Sequence, residues 1–166
     1  MDGLKVYLTS ALLADCNRDV DALIDEYLEG MYGLGAPYLR RYIELSSASV
    51  QGHRLGIYDA PDAPYFTDAA LGEYDRLFTM AEEAECGEVR ERIAREHLAI
   101  EYARTARIED DEKRSQAVDA LAKKVLHFRL TEIMERRNLY DSFDFMKRSR
   151  YAKDRTGQYN MYYVVK

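Results

Sequence analysis

Tryptophan is absent from this chain, and proline is nearly so, with 3 in 166 residues. So few breaks leave room for long helices. Cysteine is scarce too, at 2 residues. Cys16 and Cys86 stand in no metal-type or redox-type spacing, which removes a zinc ribbon and a thioredoxin-like pair. The plainest reading makes both thiols small buried hydrophobes. No apolar run is more than a few residues long, so no segment reads as a membrane-crossing helix, and no membrane partner is expected. No basic stretch followed by a long apolar one comes after Met1, so no secretory signal is visible.

What is present points to a globular chain. It is 47% hydrophobic and 33% charged, too apolar for disorder. A net charge of −6 argues against nucleic acid as the main partner. The charge is unevenly spread. Residues 1–112 hold 11 Lys and Arg against 24 Asp and Glu, while residues 113–166 hold 13 against 6. An acidic body with a basic end suggests that the end docks on the body or offers itself to an anionic partner.

Apolar periodicity then places the elements. Leu4, Leu8 and Leu12 make a helical stripe that begins almost at Met1, without a capping residue before it. That start reads as a helix entered part-way, as in a domain cut from something longer. Val20, Leu23, Ile24, Tyr27, Leu28 and Met31 form one face of a second helix, with Asp19 placed to cap it. GMYGLGAP follows. No strand precedes its glycines and no Lys-Ser/Thr follows them, so it is neither a dinucleotide fingerprint nor a phosphate loop. It reads as a corner, with Gly33 as a stop and Pro37 starting the next helix. Residues 46–66 read as one irregular stretch. Thr67 caps a helix that Gly87 ends. Val89 to Ile108 is a central helix, and a further one runs to about Arg137, where Asn138 closes it. Ser142 to Lys153 reads as a short helix, and the last ten residues as one extended segment. The expectation is an all-α single domain over 1–166 with six or seven helices, the tail 141–166 being loosely assigned.

Chemistry is harder to find. The histidines, His53, His97 and His127, have neither Glu-x-x-His nor His-x-x-x-His spacing, so no metal and no cofactor is expected. No nucleophile elbow exists. The glutamates of residues 82–101 read as solvated helix faces. His97 and Glu101 stand four apart on one face, where a carboxylate could polarise the imidazole; a satisfied core histidine is the plainer reading. No catalytic residue is assigned. The irregular loop is richer. His53, Arg54, Tyr58, Asp59 and Tyr65, with Phe66, combine hydrogen-bonding groups and flat rings, the mixture that binds sugars. These are the carbohydrate-binding candidates.

The runs LKVYLTSALL, DVDALIDEYLEGMYGLGAPYLRRYIEL and HRLGIYDAPDAPYFTDAAL resemble the C-terminal helical part of a family of large bacterial proteins of unassigned function. That family is described as glycoside-hydrolase-like, with a preceding barrel like that of alpha-glucuronidases. Its first helix usually runs into Leu-Leu-Trp-Asp-Pro. Here Leu12 and Leu13 match, but Ala14-Asp15-Cys16 stands in place of Trp-Asp-Pro. Asp19 to Tyr27, Met31-Tyr32-Gly33, Ala36-Pro37-Tyr38 and Gly56-Ile57-Tyr58 match the family's pattern. The likeness spans about residues 4–105. It implies a non-catalytic accessory module of a protein that breaks down polysaccharide, stabilising or completing a sugar-binding barrel. The implied partners are the upstream barrel, a second copy, or carbohydrate. The alternative from the residues alone is a free-standing interaction module that uses its basic tail.

Overall fold

In a computed structural model, which describes residues 1–55, 63–134, 137–153 and 159–163, the chain is all-α with a small terminal hairpin. The helices are α1 (Asp2–Ala14), α2 (Val20–Tyr32), α3 (Ala36–Ser49), α4 (Asp68–Glu83), α5 (Gly87–Ala106), α6 (Asp111–His127) and α7 (Leu139–Arg148). Strands β1 (Ser149–Lys153) and β2 (Tyr159–Tyr163) pair antiparallel, with Tyr151 opposite Met161. The chain divides into two compact units. The first takes Met1–Gln51 and Gly72–His97, the second Gly52–Leu71 and Leu98–Lys166.

In the first unit the expected helix signals act as physics requires. The Asp19 carboxylate accepts from the N–H groups of Asp21 and Ala22, two of the donors that a helix start leaves unpaired. Gly33, at φ 50°, ends α2, and a 3₁₀ turn over Gly33–Gly35 leads straight into α3, with Pro37 in its first turn. The glycine-rich segment is therefore a corner. Leu23, Leu28, Leu39, Leu77, Phe78 and Ile93 are buried around it; each such side chain contributes about 1.5–3 kcal/mol. The corner is tight because Gly35 is buried against α4 and α5. A Cβ there would lie 2.7 Å from Ile93 Cδ1 and 3.1 Å from the Ala81 carbonyl oxygen.

In the second unit Leu98, Val118, Leu121, Val125 and Met146 form the core, with Tyr102, Phe128 and Ile133 against it. Arg114 is 1% exposed. Its guanidinium donates to the carbonyls of Ile108 and Glu109 after α5, and to those of Met146 and Lys147 in the last turn of α7. Asp111 Oδ1 takes the remaining N–H at 2.6 Å.

Several boundaries differ from the sequence reading. α3 runs on through residues 46–49, because the Ser46 and Ser49 hydroxyls turn back onto carbonyls three residues earlier instead of ending the helix. α4 stops at Glu83, and Gly87, at φ 57°, opens α5 rather than ending α4. α6 stops at His127, not Arg137. Arg129 takes the left-handed conformation at φ 52°, its N–H donating to Leu126 and that of Leu130 to Val125, a Schellman ending. Asn138 opens a helix rather than closing one, its Oδ1 accepting from the N–H of Asp141 at 2.9 Å. The span 142–153, read as one short helix, is the end of α7 followed by β1, and the tail segment supplies β2.

Candidate functional site

Of the loop candidates, His53, Arg54 and Tyr65 fall in the second unit. Tyr58 and Asp59 lie outside the described residues. His53 and Tyr65 come together edge to face with ring centroids 5.6 Å apart, and Phe66 stands 4.8 Å from Tyr65. Arg54 is exposed. Tyr65 is 9% exposed, so its ring is already covered and serves as a wall rather than a platform. His53 is the exposed member of the pair. The loop's exit is fixed from both sides. Arg107 donates to the Phe66 carbonyl and pairs with Asp68 at 2.8 Å, and the Thr67 hydroxyl caps α4 through the N–H of Ala70. The described part of the loop thus offers a small aromatic corner on a firm base.

The first unit holds a polar cluster that the sequence reading assigned differently. The His97 ring is buried on α5 and stacks on Phe78 with centroids 5.0 Å apart. Glu82 Oε1 lies 2.7 Å from Nδ1, and Asp75 Oδ1 lies 3.2 Å from Nε2. Each ring nitrogen thus has a carboxylate oxygen within hydrogen-bond distance. Glu101, the expected partner, turns instead to Lys124. The core-histidine reading therefore holds, with partners from α4 rather than from α5. A usable signal was present: Asp75 and Glu82 are seven residues apart, bracketing Phe78 on one face of α4.

Beside it lies a tyrosine cluster. Tyr42 packs edge to face on Tyr74 and Phe78, and Tyr74 donates to the Ser49 hydroxyl at 3.2 Å. Burial, with the Glu96 carboxylate and Tyr27 adding to it, pushes the Tyr32 phenol far above its ordinary range. Burial raises Tyr42 as well. These phenols are neutral packing groups, and none is poised for proton transfer near neutral pH.

At the corner, the backbone N–H of Leu34 donates to Glu85 Oε1. A carboxylate at the start of α3 suits the positive end of that helix. Cys16 and Cys86 are both free and exposed, contrary to the buried reading. Cys16 lies just after α1 and Cys86 just before α5. Among the described residues no group of three His, Cys, Asp or Glu side chains could hold a metal ion. No described helix is long and apolar enough to cross a membrane.

The comparisons bear on the first unit alone. A family model described as a domain of unknown function, DUF4838, matches residues 1–44. That segment is α1, α2, the corner and the first turns of α3. No curated protein and no solved structure matches.

Proposed function

We propose that the chain is a non-catalytic helical accessory module of a larger glycoside-hydrolase-like protein. Its role there is to stabilise or complete a sugar-binding barrel in polysaccharide breakdown. One observation carries this reading. Within the family-matched segment, α1 buries only Leu4, while Val6 and Leu13, two turns apart on one face, are 66% and 83% exposed. Large aliphatic side chains paired on one helix face suit a docking surface. The commitment of His97, Asp75, Glu82, Glu85 and Glu101 to structural pairs also fits a module without chemistry of its own. The aromatic corner of His53 and Tyr65, with Arg54 beside it in sequence, would then contribute to the rim of a sugar cleft.

The test uses the full product of the reading frame. Replacing Val6 and Leu13 together by Glu lowers the melting temperature of a neighbouring barrel, while the helical circular dichroism of this chain stays as it was. An unchanged barrel transition counts against docking through α1. Hydrolysis of aryl glucuronides by this chain alone, abolished by a single carboxylate substitution, defeats the non-catalytic assignment.

A second reading has its own observation. The terminal ribbon sets Lys153 opposite Tyr159 and Arg150 opposite Tyr162. A two-stranded hairpin is marginal on its own in water, so an acidic partner laid along it would stabilise it. Salt-sensitive binding to poly-glutamate, lost when residues 147–166 are removed, supports a free-standing interaction module. Salt-insensitive or absent binding removes it.

A further inference from the structure

The corner between α2 and α3 encloses a cleft of about 230 Å³. Its apolar lining is Leu28, Ala36 and Pro37, and its charged lining is Asp25, Glu29 and Arg40. The ion pairs decide which charge is available. The Arg40 guanidinium is already held by Asp21 at 2.7 Å and Asp25 at 3.3 Å, with Glu44 at 3.7 Å. An incoming anion would have to displace them. Glu29 is different: it is exposed, and among the described residues its carboxylate has no hydrogen-bond or ion-pair partner. The local field also favours a cation. The cleft lies at the C-terminal end of α2, where the helix dipole is negative. The opposing positive end, at the start of α3, is already met by Glu85.

Size narrows the ligand further. Sites for drug-sized molecules run to about 300–1,000 Å³, so this cleft accommodates one side chain rather than a sugar chain. Leu34, in the turn that leaves the cleft, is 72% exposed and offers an apolar neighbour to whatever enters.

We propose that this cleft is a subsite for a basic side chain, arginine or lysine, carried on a protein segment with an apolar residue beside it. The aliphatic stem lies on Leu28, Ala36 and Pro37, the cationic head pairs with Glu29, and the neighbouring residue packs on Leu34. The subsite requires no barrel partner and is independent of the accessory-module reading.

The experiment is a backbone-amide NMR titration of the whole chain with acetyl-arginine amide. Controls are acetyl-citrulline amide, which keeps the shape without the charge, and acetyl-glutamate amide, which reverses it. Saturable shifts at the amides of Leu28, Gly33 and Ala36 are expected with the arginine compound. Weakening by about fivefold is expected for citrulline and for Glu29→Gln, the scale of one exposed ion pair. Glu29→Gln alters an exposed, unpartnered group, so its circular dichroism should match the parent chain and the comparison stays interpretable. Equal response to arginine and citrulline, an unchanged response in Glu29→Gln, or preference for the glutamate compound overturns the subsite. A second arm separates a protein segment from a free amine. Acetyl-Leu-Arg-amide should bind more tightly than acetyl-arginine amide, and Leu34→Ser should erase that gain. A dipeptide that gains nothing over the single residue overturns the protein-partner assignment.

Discussion

Arg114 uses all of its N–H groups on four carbonyl oxygens and one carboxylate. It gathers the end of α5, the start of α6 and the end of α7 at one point, and a cation is well placed at two helix C-termini. Lysine carries the same charge but a single nitrogen, so it cannot reach carbonyls spread around a planar fork. Arg114→Lys should lower stability by about 3 kcal/mol, since several buried acceptors lose their donor at once. Urea unfolding should register this as a lower midpoint at unchanged slope. A midpoint within a few tenths of a molar of the parent would mean that water replaces those bonds without cost. The residue was partly legible. Arg114, Val118, Leu121 and Val125 fall on one stripe, so a charge at the head of a buried line was visible. Its partners were not, because backbone carbonyls leave no mark in a sequence. His97 repeats the lesson: its place on an apolar face was plain, but the choice of Asp75 and Glu82 over Glu101 depends on how α4 packs on α5.

At the scale of elements, two glycines of similar appearance have opposite roles. Gly35 is wedged against Ile93 and the Ala81 carbonyl, whereas at Gly30, inside α2, no described atom beyond the local helix backbone lies within 4 Å of the place where a Cβ would sit. Gly35→Ala should cost about 1–3 kcal/mol through overpacking. Gly30→Ala should add about 0.4–1 kcal/mol by restricting the unfolded chain. Thermal melts of the two variants should move in opposite directions; matching shifts would contradict the close approach at the corner. The end of α6 gives a related prediction. Arg129 holds φ 52°, a conformation that costs a residue with a side chain about 1–2 kcal/mol. Arg129→Gly should therefore raise the melting temperature, and a fall would show that the side chain contributes more than the backbone costs. The starts of α2, α3 and α4 were legible, because Asp19, Pro37 and Thr67 act on their own near neighbours, whereas Asn138, read as a helix end, opens α7. Helix ends were less so. Apolar periodicity continues past His127 through Phe128, Leu130 and Ile133, and these residues still pack on the core, but from a turn. The aromatic loop was legible as composition only, since nothing in it foretold that Tyr65 would be covered.

For the whole molecule, the buried phenols set an alkaline limit. Burial raises Tyr32, Tyr42 and Tyr102 above the ordinary phenol value. An ionised phenolate is therefore favoured in the unfolded chain, where tyrosine titrates near about pH 10. Below that pH both states stay protonated and these groups contribute their full share. Above it the unfolded chain gains by ionising while the native chain does not, so stability falls as pH rises. Loss of helical circular dichroism should then set in beyond about pH 10, and Tyr32→Phe should displace it to higher pH. An alkaline transition that stays in place in Tyr32→Phe would mean that the Tyr32 phenol is open to water. One further consequence lies in the exposed pair, Cys16 and Cys86. A chromogenic disulfide reagent should titrate 2 thiols on the native chain. Both belong to the first unit, so spin or fluorescent labels can be attached there without engineering, and a partner arriving at that unit could be followed by a change in the separation or mobility of the two probes.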